Sequence, residues 1–211
     1  MTAAILCDGL FPRKPFPLFL LETADTVVCC DGAVRAYELH YHRLPDAIVG
    51  DMDTLSPSLQ RKYAALIHHE SEQDYNDLTK AMRYVLGRYP DVDCIHILGA
   101  GGKREDHTVG NLGLLMEYPR MSPLEDIRVD MVSDYSTAFA VTDSCTLTVG
   151  TGRRFSLFSP DNSLTIHSEG LEYQTEGVVF DNWWQATLNR AVADEVRLTF
   201  SHPSRALVIL D

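Results

Sequence analysis

Positive charge is scarce in this sequence: 18 Lys and Arg stand against 30 Asp and Glu, a formal net charge of −12. Nucleic-acid backbones and anionic lipid surfaces recruit clustered Lys and Arg to neutralise phosphate, so neither is expected as a partner. An acidic chain that handles a polyphosphate must interpose a divalent cation, which makes the placement of its carboxylates the first matter to inspect. Long apolar runs are also missing, and none reaches the length that spans a bilayer. The opening residues, Met1 to Asp8, lack a basic region followed by a signal-type apolar stretch, so the expectation is a cytoplasmic protein. Five cysteines without a C-x-x-C spacing form neither an even disulfide framework nor a zinc site. Adjacent Cys29 and Cys30 read as small buried residues on opposite faces of a strand. The G-x-x-x-x-G-K-[ST] phosphate loop is absent: Gly99-Ala100-Gly101-Gly102-Lys103 has the wrong spacing. There is no internal repeat, low-complexity tract or long linker.

What is present is enough apolar residue, 45% of 211, to bury a sizeable core in one large domain or two unequal ones. In the first half, Ala3 to Cys7, Val27 to Cys30, Ala47 to Val49 and Cys94 to Leu98 are compact apolar runs without alternation, as expected of parallel strands covered on both faces. Leu78, Ala81, Met82, Val85 and Leu86 recur at the spacing of one helical face, with Asp74 as the expected N-cap and Asp77 in the first turn. A strand at Ile127 to Val132 closes this layer. From about Tyr135 the rhythm changes to short runs of period two, such as Thr146 to Val149, Phe155 to Phe158 and Val196 to Phe200, separated by turn residues. The reading is an α/β domain with a mainly parallel sheet over residues 1–134, followed by an all-β antiparallel sandwich over 135–211.

In an open parallel sheet, ligands bind beyond the carboxyl ends of the strands. The residues there are biased: Asp8-Gly9, Asp31-Gly32-Ala33, Gly50-Asp51-Met52-Asp53, and the stretch Gly99 to His107 each follow an apolar run. Glycine lets backbone amides approach phosphate oxygens, and aspartates supply oxygen ligands to Mg²⁺. Asp51 and Asp53 reach one metal if the chain turns sharply at Met52, and Asp77 at the helix start adds another ligand, directly or through water. A single Asp-Gly pair is ordinarily a turn; several at successive strand ends point to one site.

Four ordered segments resemble the thiamine pyrophosphokinases. Asp31-Gly32-Ala33 is similar to that family's Asp-Gly-Gly/Ala turn, and Leu44 to Thr54, containing Pro45-Asp46 and Gly50-Asp51-Met52-Asp53, resembles its P-D-x-x-x-G-D-x-D-S signature. Gln73 to Ala81 is similar to Q/K-D-x-T-D-x-x-K-A, and Arg104 to Thr108 with Asn111 to R-x-D-H-T-x-x-N. The resemblance implies transfer of a pyrophosphoryl group from ATP to the hydroxyethyl oxygen of thiamine, with thiamine diphosphate and AMP as products. It places Asp51, Asp53, Asp77 and Asp106 around Mg²⁺ and the phosphates, with Asp51 or Asp77 accepting the alcohol proton. Asp31, Gly32, Gln73, Lys80, Arg104 and Asn111 would contact nucleotide or phosphate. Lys103 stands where relatives carry glycine. In the sandwich half the match is looser: Tyr173 replaces a stacking Trp, and Asn189 is kept while Leu188 replaces a Ser, so Tyr173 and Asn189 are the expected thiamine contacts. Trp183 and Trp184 are expected to face opposite sides of a strand. The family also implies a homodimer with the acceptor site shared between subunits. Rival readings are a non-catalytic nucleotide or thiamine sensor, or the same chemistry on a related alcohol such as a pterin.

Overall fold

The computed structural model describes residues 1–72 and 74–211, so the expected nucleotide contact at Gln73 lies outside the described residues. The chain divides into two compact units, Met1–Leu114 with Asp126–Asp134, and Leu115–Glu125 with Tyr135–Asp211.

The first unit is built on a parallel sheet whose strands are β1 (Thr2–Leu6), β2 (Thr26–Cys30), β3 (Ala47–Gly50), β4 (Ile67–His69), β5 (Cys94–Leu98) and β6 (Arg128–Val132), in the order β6-β5-β1-β2-β3-β4. Parallel neighbours require crossovers, which are supplied by α1 (Pro15–Thr23), α2 (Ala33–Tyr41), α3 (Pro57–Lys62), α4 (Asp77–Arg88) and α5 (Glu105–Glu117). All five residues of β2 are buried, which accounts for a run without alternation. Ala4, Leu6, Val27, Ile48 and Leu98 pack with Val34 and Tyr37 of α2 into one core; each fully buried Leu, Ile or Val contributes about 1.5–3 kcal/mol.

Helix α4 buries Leu78, Ala81, Met82 and Val85 of the expected stripe, leaves Leu86 half-buried, and buries Lys80 as well. Its cap differs from the expectation: Asn76, not Asp74, precedes the first turn, and its side chain accepts from the Thr79 amide at 3.1 Å. Asn serves as well as Asp there because the cap needs only a short side-chain oxygen.

The second unit holds two antiparallel sheets, β11 (Ala186–Arg190), β9 (Arg154–Phe158), β13 (Ala206–Leu210), β7 (Thr137–Val141) in that order, and β10 (Ile166–Glu169), β12 (Glu195–Phe200), β8 (Cys145–Thr148). Strand β12 alternates exposed and buried residues along its whole length. Its Val196, Leu198 and Phe200 join Phe155, Leu157, Ile166 and Val208 in a single core between the sheets, the expected sandwich.

Candidate active site

The carboxyl ends of β1, β2, β3 and β5 line a cleft of about 440 Å³. Asp31, directly after β2, has a left-handed backbone (φ 38°), and Met52, after β3, has φ 64°. The Met52 turn is the sharp reversal that lets Asp51 and Asp53 point the same way, and its buried side chain fixes it in the core. Asp31, Asp51 and Asp53 each bring a carboxylate oxygen within 4.8 Å of the others. Asp53 N–H donates to Asp51 Oδ1 at 3.2 Å, and Thr54 N–H donates to Asp31 Oδ2 at 3.2 Å. Asp31 Oδ1 is buried without a hydrogen-bond partner. Burial pushes its carboxyl up to about 6 against the opposing bonds from Thr54. A buried orphan oxygen beside two other carboxylates is costly alone and is satisfied by a hard divalent cation; the donor set therefore fits Mg²⁺.

Asp77 opens α4 across from this group. A Cβ on Gly50 would lie 3.2 Å from the Asp77 carboxyl and 3.2 Å from Asp31 Cβ, so glycine there keeps the carboxylates close together. Burial raises the pKa of Asp77, Lys80 opposes the rise, and Asp51 and Asp53 add to it. Lys80 Nζ, almost fully buried, donates to Asp77 Oδ1 at 3.3 Å. Asp106 behaves differently: it is exposed in the first turn of α5, where Arg104 holds it through two contacts and the His107 amide donates at 2.8 Å. Arg104 keeps the Asp106 carboxyl below its ordinary range.

The cleft wall depends on close backbone approach. A Cβ on Gly9 would fall 2.1 Å from the Gly99 carbonyl oxygen and 2.5 Å from that of Gly101. The gap is instead closed by Gly9 N–H donating to Gly99 and Leu10 N–H to Gly101, both at 2.7 Å. Arg35 reaches the same region from α2, its Nη2 3.5 Å from Asp8 Oδ2. Asn111 is buried, donates to the Ala100 carbonyl at 2.8 Å and accepts from Asn76 at 2.8 Å.

In the second unit, Asn189 is also buried and spends its amide on the backbone: Oδ1 accepts from Tyr173 N–H (3.1 Å) and Arg190 N–H (2.8 Å), and Nδ2 donates to the Tyr173 carbonyl (2.6 Å). The pairing of β11 with β9 is irregular between Ala186 and Asn189, where Leu188 takes φ 60° and is 86% exposed. The ring of Tyr173 is left exposed. Trp183 and Trp184 lie outside the strands and both keep exposed surface, in place of the expected opposite faces of a strand; Trp183 packs on Phe158 with ring centroids 5.1 Å apart.

Two family models match the chain, thiamin pyrophosphokinase catalytic domain over residues 19–125 and thiamin pyrophosphokinase substrate-binding domain over 137–207. The chain belongs to the thiamin pyrophosphokinase family. Among curated relatives, thiamine pyrophosphokinase 1 of Oryza sativa subsp. japonica is 28% identical over 65% of this chain and 57% of its own length. The Arabidopsis thaliana thiamine pyrophosphokinase 1 is 30% identical over 63% of this chain and 55% of its own. The chain thus spans little more than half the length of these relatives. Solved structures of thiamin pyrophosphokinase from Candida albicans (TM-score 0.80, 18% identity, 99% of this chain and 88% of that one) and from yeast (TM-score 0.81, 15% identity, 99% and 85%) share its fold.

Against the residues that thiamin pyrophosphokinase resemblance points to, the structure brings Asp51 and Asp53 together, adds Asp31 to them, and sets Asp77 with Lys80 beside them. Gly32 fits the same corner, since a Cβ on it would meet Asp8, Arg35 and Thr54 at 2.6 Å. Asp106 is not part of the three-carboxylate group among the described residues and is paired with Arg104 instead. Asp8 was expected at this rim through its Asp-Gly pair but was given no role of its own, and Arg35 was not among the expected site residues. The Asp8-Gly9 pair was the available signal for the first, and nothing in the helical pattern of α2 marks the second.

Proposed function

We propose that this chain is a thiamine pyrophosphokinase, transferring pyrophosphate from ATP to the hydroxyethyl oxygen of thiamine with release of AMP and thiamine diphosphate. The observation that carries the reading is the group Asp31, Asp51 and Asp53 with its buried, unpartnered oxygen, of which Asp31 and Asp51 line a cleft walled by glycines at the strand ends. Mg²⁺ held there supplies positive charge to the phosphate oxygens. Asp31, Asp51 and Asp53 would hold it, and Asp77 next to them would orient the attacking alcohol and take up its proton. Lys80 offsets the local negative charge from a buried position. Arg104 and Lys103 line the cleft and would bind phosphate oxygens, a planar fork and a point charge respectively. Little else is required, because phosphoryl transfer depends mainly on alignment and charge compensation.

The acceptor falls to the second unit, where Asn189 fixes the backbone of Tyr173 and leaves its ring open to a cationic heterocycle. The exposed aromatic and aliphatic surface at Tyr173, Trp184 and Leu188 supports a homodimer. Net charge supports a partner set without nucleic acid, and no helix among the described residues is long and apolar enough to cross a membrane, in keeping with a cytoplasmic enzyme. The test is incubation with ATP, Mg²⁺ and thiamine. Equal amounts of AMP and thiamine diphosphate, both lost on chelation, are expected; formation of neither refutes the activity, and nucleotide binding without turnover would favour a sensor. Turnover of a related alcohol in preference to thiamine would reassign the acceptor.

A further inference from the structure

At the other ends of the strands from the aspartates, Cys94 opens β5 and Arg128 opens β6. The parallel register sets Cys94 beside Arg128 and His96 beside Asp130. Residues two apart on a strand share a face, so these four side chains gather. His96 Nδ1 lies 2.6 Å from Asp130 Oδ1, and Arg128 Nη2 lies 3.2 Å from Asp130 Oδ2. The paired carboxylate is an acceptor only, so a neutral imidazole carries its proton on Nδ1 and presents a bare Nε2. That nitrogen is 3.6 Å from Cys94 Sγ. Burial, with the Asp130 charge adding to it, pushes the Cys94 thiol up. Raising a thiol's pKa lowers its thiolate fraction and slows its attack on a disulfide, so a base positioned to take the Cys94 proton as the new bond forms would set this sulfur apart from an unassisted one.

We propose that Cys94 is a thiol–disulfide exchange site for small soluble disulfides, with His96 as its base and Asp130 as the residue that positions His96. The Cys94 proton passes to His96 Nε2 as Sγ attacks one sulfur of the disulfide. The S–S bond breaks, Cys94 is oxidised to a mixed disulfide, and the released half, reduced to a thiolate, takes the proton from His96 and departs as a thiol. Cys7, Cys29 and Cys30 are buried, which leaves Cys145 as the other half-buried thiol. Burial raises Cys145 as well, but no histidine bonds to it among the described residues, so it is an internal control.

The experiment incubates the wild-type protein with oxidised glutathione near neutral pH and follows adducts by intact mass and peptide mapping. Cys94 is expected to react faster than Cys145 by on the order of a hundredfold, the lower end of what a positioned base contributes. His96→Gln and Asp130→Asn should bring the Cys94 rate down towards that of Cys145, and dithiothreitol should release the adduct. Equal rates at the two cysteines of the wild-type protein, or no adduct at Cys94, overturn the proposal without any variant having to fold. Phosphotransfer activity has no part in this readout, so the outcome is independent of the function proposed above.

Discussion

Lys103 Nζ lies 2.9 Å from Asp8 Oδ1 and 3.0 Å from the Asp8 carbonyl oxygen, so a cation after β5 rests on a carboxylate after β1 at the wall of the cleft. A triphosphate tail would compete with Asp8 for that ammonium. Lys103→Ala should weaken ATP binding by about tenfold, the equivalent of one charge-assisted hydrogen bond near 1.4 kcal/mol, and leave AMP binding unchanged. Calorimetric titration with the two nucleotides checks it; equal losses for both would move Lys103 away from the phosphates.

Asp51→Asn and Asp53→Asn each remove a carboxylate from the group that includes the orphan Asp31 oxygen, the group proposed to hold Mg²⁺. Turnover should fall by at least about 10²-fold, since a catalytic metal supplies several kcal/mol of charge stabilisation. The melting temperature should change little, because loss of one clustered charge relieves repulsion. Near-normal turnover in both variants would place the metal elsewhere.

Asn111→Ala leaves the Ala100 carbonyl and the Asn76 amide without their partner inside the fold. The expected loss is about 1–3 kcal/mol, or roughly 2–4 °C in Tm per kcal/mol at this chain length, measured by calorimetry. Unchanged stability with weaker ATP binding would show the amide contacting nucleotide directly.

Removing the exposed ring in Tyr173→Ala should raise KM for thiamine by roughly three- to thirtyfold, the scale of a cation–π contact, with KM for ATP unaffected. Tyr173→Trp should retain the wild-type value. A change in KM for ATP of the same size would count against an acceptor role for this ring.

Asp161, after β9, accepts from the hydroxyls of Ser163 and Ser204, both at 2.6 Å, and from His202 at 3.2 Å. Ser163 and Ser204 together hold its carboxyl well below the usual range, with His202 assisting. The folded state therefore releases this proton at lower pH than the unfolded chain does. The stability gained is complete above the ordinary carboxylate value near 4 and is lost as pH falls through the lower folded value. Asp161→Asn should cost about 1–3 kcal/mol at neutral pH, and its deficit relative to wild type should shrink steadily below about pH 4. Thermal melts of both proteins across acidic pH decide it; a deficit independent of pH would show that the carboxylate charge is not what these donors stabilise.

Much of the fold was legible because strand and helix periods are local. The unbroken apolar runs of β1, β2, β3 and β5 and the stripe of α4 follow from which faces are covered, and the period-two runs of the second unit follow from one face being solvated. Strand β4 was not legible: Ile67-His68-His69 is short and half exposed, and its pairing with β3 comes from position at the sheet edge. The Trp183-Trp184 pair misled in the same way, since no strand forms there.

The sequence alone determined the order of the elements and the delivery of Asp and Gly to successive strand ends, because both are set by residue type and spacing along the chain. Tertiary structure decided what each polar atom does. It left one oxygen of Asp31 unpaired among carboxylates, turned Asp106 to Arg104, buried Lys80 against Asp77, spent Asn111 on the Ala100 carbonyl and the Asn76 side chain, and spent Asn189 on backbone groups. A hydrogen bond or a desolvation penalty belongs to the neighbours that folding brings from far along the chain, and those neighbours have no period to read.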